Sequence, residues 1–251
     1  MLKKIILLFA VVLIGAEPAI SQYAERYQVL LFTKSVSYPY RHDSISNGVQ
    51  MFKELSKKHR FGLTWTADAA IFDDTERLDG MDVVVFFNTS GDILDESQKK
   101  EFQEYIRGGG NFVGIHGASF TMMDWPWYIE LLGGVWNEHP GRHTAAVKVE
   151  DPNHPATAHL PSTWIVTDEW YDFEKLSDSI NVVLTVDENT YPGGKMPEYH
   201  PIAWYQDDFE GGRSFFTLLG HTQQAYDDPW FRQHIMGALW WAAKGIELSE
   251  N

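Results

Sequence analysis

The sequence contains no cysteine. That absence excludes disulfides, thiol nucleophiles and thiolate metal ligands. Stability therefore has to come from a packed core, and any chemistry from His, Asp, Glu, Ser, Tyr or backbone groups. Attachment through a lipidated cysteine is excluded as well. Positive charge is scarce: 20 Lys and Arg stand against 35 Asp and Glu, a formal net charge of −15. Such a surface repels nucleic acid and anionic lipid, and suits neutral ligands such as saccharides better. Only one apolar run is long, residues 5–16, and it is too short for a comfortable membrane span. Signature motifs are missing too. There is no helical H-E-x-x-H for zinc, and Gly108-Gly109-Gly110 lacks the Gly-Lys-Ser/Thr ending of a phosphate loop. No nucleotide or flavin is expected. Ser119 has no ordered Ser–His–acid spacing around it, so helix capping suits it better than nucleophilic attack. Repeats, linkers and low-complexity tracts are absent.

What is present begins with a targeting pattern. Lys3 and Lys4 precede the apolar run, and Ala19 and Ser21 supply small residues for cleavage after Ser21. Residues 1–21 read as a secretory signal peptide, which implies a periplasmic or secreted protein. Residues 22–251 then suit one large domain, 44% of the chain being hydrophobic. Buried strands are expected at 27–33, 62–66, 82–87 and 111–115. Helices are expected from Asp43 or Ser44 to about Lys58 and from Asp95 to Arg107, with a short helix or turn at 71–80. This alternation predicts an α/β fold with a doubly wound, mostly parallel sheet and ligands at the carboxyl ends of its strands. After Gly134 the pattern changes. Strands are expected at 143–150, 164–167, 182–186, 202–205 and 214–219, among prolines at 152, 155 and 161, with a closing helix at 228–243. The economical picture is one domain with a loop-rich insertion over the sheet edge.

Chemistry-bearing residues gather at those predicted strand ends. His116 sits between small residues in Gly114-Ile115-His116-Gly117-Ala118-Ser119, where a strand should turn into a helix. His221 follows the last strand. His139, Arg142, His143, His154 and His159 lie in the middle segment, followed by Asp168, Glu169, Trp170 and Tyr171. Imidazoles and carboxylates from distant loops can converge on a divalent, zinc-like ion, for which His116, His139, Glu169 and His221 are the best set. Without a metal, His116, Glu169 and His221 offer acid–base catalysis near neutral pH. Adjacent strand residues face opposite ways, so Glu169 and Tyr171 share a side and Asp168 reads as surface charge. Ten Trp and eleven Tyr add aromatic faces suited to sugar rings.

These pieces together resemble the trehalose-utilisation (ThuA-like) family. The resemblance is carried by GIHGAS at 114–119, LLGG at 131–134, EHP at 138–140, NHPAT at 153–157 and DEWYDF at 168–173. It continues through DENTY at 187–191, HPIAW at 200–204, LLGHT at 218–222 and DPWFRQHIMGALWWA at 228–242. It implies a flavodoxin-like, class I glutamine-amidotransferase-like fold. Those amidotransferases use a cysteine at the strand–helix turn. This chain has His116 in that region and no cysteine, so it is not a thiolate amidotransferase. The resemblance further implies a role in using disaccharides or keto-sugars. It maps a pocket onto His116, His139, Glu169, Tyr171, Glu188, His200 and His221. Trp170, Tyr191 and Trp204 join Tyr171, Glu188 and His200 as candidate saccharide contacts. Three functional classes stay open: a sugar hydrolase, lyase or isomerase, a non-catalytic carbohydrate-binding protein, and an interaction domain with a degenerate pocket. Assembly as a homo-oligomer is compatible with all three.

Overall fold

The computed structural model describes residues 27–37 and 41–243. The expected signal segment lies outside the described residues. From the N-terminus run β1 (Gln28–Phe32), α1 (Ile45–His59), β2 (Gly62–Thr66), α2 (Thr75–Asp79), β3 (Val83–Phe87), α3 (Glu96–Arg107), β4 (Asn111–Ile115) and α4 (Pro126–Leu132). Then come β5 (Gly134–Glu138), β6 (Arg142–Val149), β7 (Thr163–Glu169), β8 (Asp172–Leu176), β9 (Asn181–Val186), β10 (His200–Phe209), β11 (Gly212–Thr217) and α5 (Pro229–Ala242). Among the described residues no helix is long and apolar enough to cross a membrane.

Nine strands form one sheet in the order β2-β1-β3-β4-β11-β10-β9-β6-β7. The first five are parallel, in the 2-1-3-4-5 arrangement of flavodoxin-like folds with β11 as the fifth. The remaining four continue the sheet antiparallel. The segment after Gly134 therefore does more than cover an edge. It contributes strands that widen the sheet, joined by long connections at 150–162 and 187–199. A separate two-stranded pair, β5 with β8, lies outside the main sheet.

Strand alternation assigns the helices to faces. Phe86 packs on Phe72, Phe102 and Tyr128, whereas Phe87 packs on Phe52 and Tyr226. Neighbouring strand residues point oppositely, so α3 and α4 cover one face and α1 with the 223–227 turn covers the other. α5 joins the second face through Phe231 on Tyr226 and His234 on Phe215. Local sequence fixes the helix ends. Asp95 and Gln98 form a reciprocal capping box on α3, and Gly108 ends it. Asp228 caps α5, with Pro229 in its first turn. α1 differs: Ser44 makes no side-chain cap, and its hydroxyl donates instead to the Gly220 carbonyl at 3.4 Å. That bond ties the start of α1 to the loop after β11, where the site lies.

Candidate functional site

Three strand ends are knitted together by one asparagine. Asn88 follows β3 with a left-handed φ of 48°. Its amide nitrogen lies 3.1 Å from Ser44 Oγ and 3.3 Å from the Gly220 carbonyl, and its Oδ1 accepts from the Gly117 N–H at 3.3 Å. Asn is the non-glycine residue best suited to such a φ, because its short amide bonds the local backbone. The result is a fixed rim at the carboxyl edge of β3, β4 and β11.

His116 occupies that rim as the first residue of a 3-10 turn over 116–120 rather than of the expected α-helix. It also has a left-handed φ, 48°, and is fully buried. Its Nδ1 lies 2.6 Å from the Leu218 carbonyl. A carbonyl can only accept, so Nδ1 carries the proton and Nε2 keeps its lone pair. Nε2 then meets Tyr171 Oη at 2.7 Å, His221 Nδ1 at 3.3 Å and Glu169 Oε2 at 3.6 Å. His221 Nδ1 is 3.0 Å from the same Glu169 oxygen. His42, from the β1–α1 connection, completes the group. Its ring is edge-on to His116 and His221, with centroids 4.8 and 5.4 Å away. One ligating atom from each of His42, His116, Glu169 and His221 falls within 4.8 Å of the others.

The fourth member of this group is His42, not His139. His139 Nε2 stands 4.0 Å from Glu169 Oε2, at the margin of the cluster. Sequence reasoning missed His42 because it follows no motif. Its only signal was its place after a strand at the ligand-binding edge. Asp168 corrects another expectation. It is fully buried, and it accepts from the backbone N–H of Gly220 at 2.8 Å, His221 at 3.1 Å and Glu169 at 2.9 Å. Glu169 faces the cleft and Asp168 clamps the loop that presents His221, so alternation assigned the sides correctly but not the burial. Gly220 makes the clamp feasible, since its φ of 123° favours glycine. Ser119 is buried and donates to the His116 carbonyl at 3.2 Å, so it braces the turn and caps no α-helix.

The electrostatics follow from burial and crowding. Burial, then the neighbouring His42 and His221, holds His116 well below the ordinary imidazole range. Burial, with His221 next, lowers His42 to about 4. Burial opposes ionisation of Glu169, but the His221 hydrogen bond and nearby imidazoles outweigh it and leave the carboxyl lowered. Burial works against protonated His221 too, but Glu169 and Asp168 prevail and raise it. Burial lifts Asp168 to about 6 against the pull of its three N–H donors.

Above this group opens a cleft of about 610 Å³. Phe120, Trp136 and Tyr171 supply aromatic walls, and Arg41, Arg142 and Gln223 supply polar ones. His42, His139, Glu169 and His221 line it as well, while His116 lies fully buried against them. Other expected contacts lie elsewhere. Trp170 is fully buried and donates to the His143 carbonyl at 3.0 Å. Trp204 is core, donating to the Leu132 carbonyl at 2.7 Å between Phe173 and Phe216. Glu188, Tyr191 and His200 form a separate group, His200 Nδ1 lying 2.5 Å from Glu188 Oε1. They are absent from the lining of the cleft because β9 and β10 carry them behind the backbone of Tyr171. His154 stacks on Tyr205 and Phe215, and His159 meets the Trp230 carbonyl, both away from the site.

Comparison with known proteins agrees with this geometry. No curated protein sequence matches the chain. Among solved structures, a ThuA-like protein from Bacteroides uniformis superposes with a TM-score of 0.74 at 22% identity, over 90% of this chain and 95% of its own. One from Parabacteroides merdae gives 0.70 at 21%, over 87% and 90%. A GMP synthase subunit from Thermoplasma acidophilum gives 0.55 at 16%, over 90% and 98%, which places the fold among the glutamine-amidotransferase-like proteins. The family described as trehalose utilisation, ThuA, matches residues 28–242, and the chain belongs to it.

Proposed function

We propose that this protein is an exported carbohydrate-active enzyme whose centre is a divalent, zinc-like ion site built by His42, His116, Glu169 and His221. The observation that carries the reading is the triangle of His116 Nε2, His221 Nδ1 and Glu169 Oε2, with sides of 3.0, 3.3 and 3.6 Å. Tetrahedral ligands about 2.0–2.1 Å from zinc sit roughly 3.3 Å apart, so the triangle has the size of one coordination face. The donors also have the right chemistry. The proton on His116 Nδ1 is held by a carbonyl, which leaves Nε2 as a ligand of fixed tautomer. His42 Nδ1 is buried and has no hydrogen-bond partner, an expense that bound cations commonly remove.

Such an ion supplies Lewis acidity toward a sugar hydroxyl or carbonyl. The chain's own groups do the rest. Phe120, Trp136 and Tyr171 offer apolar faces for a pyranose, while Arg142 and Gln223 offer hydrogen bonds to its hydroxyls. His139 is the cleft imidazole left over for proton transfer, its ring against Trp136 and Tyr171. With a 3-keto-disaccharide, a base takes the proton next to the ketone and the glycosidic C–O bond breaks. The electron pair leaves with the aglycone oxygen, which then takes up a proton. Hydrolysis of the same bond would use the same cleft. Family membership supports a carbohydrate substrate, and the net charge of −15 supports a neutral one.

The test is product formation from a panel of trehalose, related glycosides and their 3-keto forms. Glu169→Gln and His139→Gln should each lower kcat/KM at least a hundredfold, about 2.7 kcal/mol of barrier, with folding intact by circular dichroism. Wild-type rates in both variants would remove these residues from the chemistry. Calorimetric binding of a sugar with no product after long incubation would replace the enzyme by a carbohydrate-binding protein, which the aromatic walls alone also accommodate.

A further inference from the structure

Behind Tyr171 lies a second group of ligating side chains that the cleft does not use. Asp172 begins β8, Glu188 sits in a 3-10 turn after β9, and His200 begins β10. One ligating atom from each falls within 4.8 Å of the others. His200 is fully buried and Asp172 is 3% exposed. The chain closes over them: a side chain at Gly194 would collide with Glu188.

The proton count is what singles this group out. His200 Nε2 lies 2.9 Å from the Tyr171 carbonyl, so Nε2 carries a proton. Nδ1 then faces Glu188 Oε1 at 2.5 Å. With a neutral ring, two lone pairs oppose each other there. Tyr191 Oη already donates to the same Glu188 oxygen. Asp172 Oδ1 accepts from the Lys195 backbone N–H at 3.2 Å, but its Oδ2 is buried without any partner. The one ion pair that Asp172 or Glu188 makes among the described residues is Glu188 with His200. Two buried carboxylates and one imidazole are thus gathered with too few donors, and uncompensated buried charge is costly.

We infer that Asp172, Glu188 and His200 form a second divalent-cation site, one imidazole nitrogen and two carboxylate oxygens that bind a transition ion of the zinc or manganese class. It is closed to the cleft, so its role is structural. The ion ties residues 171–172, 188–191 and 200 together. Through the His200 Nε2–H bond to the Tyr171 carbonyl, it holds the residue whose hydroxyl meets His116 Nε2. His200 and Glu188 are positioning residues in this arrangement.

The inference does not depend on the cleft reading, and one experiment separates the two. The full chain is equilibrated with ZnCl2, freed of excess by gel filtration and analysed for zinc per chain. The wild type should hold two, His116→Ala one, and Asp172→Asn one. Glu188→Gln provides a second variant in case Asp172→Asn does not fold. A wild type with one zinc that is kept in His116→Ala and lost in Asp172→Asn also supports the second site, while removing the first. Folded Asp172→Asn or Glu188→Gln holding as much zinc as the wild type would overturn it, leaving a His200–Glu188 pair sharing a proton. So would a wild type with one zinc that His116→Ala loses.

Discussion

Gly117 has no room for a methyl group. A Cβ there would lie 2.8 Å from the Thr89 carbonyl oxygen and 3.1 Å from His42 Cε1. The first neighbour is backbone and cannot swing aside. The second is a ring of the proposed ion site. Gly117→Ala should therefore destabilise the fold by about 1–3 kcal/mol in urea unfolding. It should also weaken ZnCl2 binding at least tenfold by calorimetry, because the β4 turn must shift relative to His42. Stability and affinity equal to wild type would mean that the turn is not as tightly seated as described. The small residues around His116 were legible in the sequence as a demand for close approach, and that demand is met. His42 was not legible, since a histidine in a polar loop carries no period or motif. Asp168 was misjudged because its burial depends on the loop at Gly220 and His221, which no local pattern connects to it.

The parallel half of the sheet was readable because β1, β3 and β4 are short, continuous apolar runs with all or nearly all residues buried. β5 and β8 were not, because their outer residues are exposed and charged and their period is weak. Pairing with each other, rather than propensity, makes them strands. α5 was readable from its Asp-Pro start, yet its interior carries a polar surprise. His234 is fully buried, with Nδ1 donating to the Ala156 carbonyl at 2.8 Å and Nε2 3.1 Å from Thr217 Oγ1. Burial lowers His234 to about 3, and lowers His154 to about 4. The unfolded chain takes up these protons near pH 6.5 and the folded chain does not. Both histidines therefore favour folding fully above that pH, and the advantage is lost as pH falls toward 3. Each should contribute a slope of about 1.4 kcal/mol per pH unit. Urea unfolding of His234→Gln between pH 6 and 4.5 should show a slope smaller by that amount. An unchanged slope would mean that His234 is not the neutral core residue described.

The molecule as a whole is a parallel sheet that sets His116 and His221 at its carboxyl edge, and an antiparallel extension that swings Glu169, Tyr171 and His139 over them. The parallel part alone would leave the imidazoles facing solvent. The extension alone would have no floor for its cleft. This division explains why fold class could be read locally while the site could not: its members come from β4, β7, β11 and the β1–α1 connection, up to 179 residues apart between His42 and His221. It also explains why the aromatic residues divided, Trp136 and Tyr171 toward the cleft and Trp170 and Trp204 into the core. The central claim is that these parts meet around an ion that acts on a sugar. Its most direct test is the rate of product formation from a 3-keto-disaccharide before and after exhaustive chelation, and again after ZnCl2 is returned. The account predicts turnover that chelation abolishes and zinc restores. Undiminished turnover by the chelated protein would contradict it.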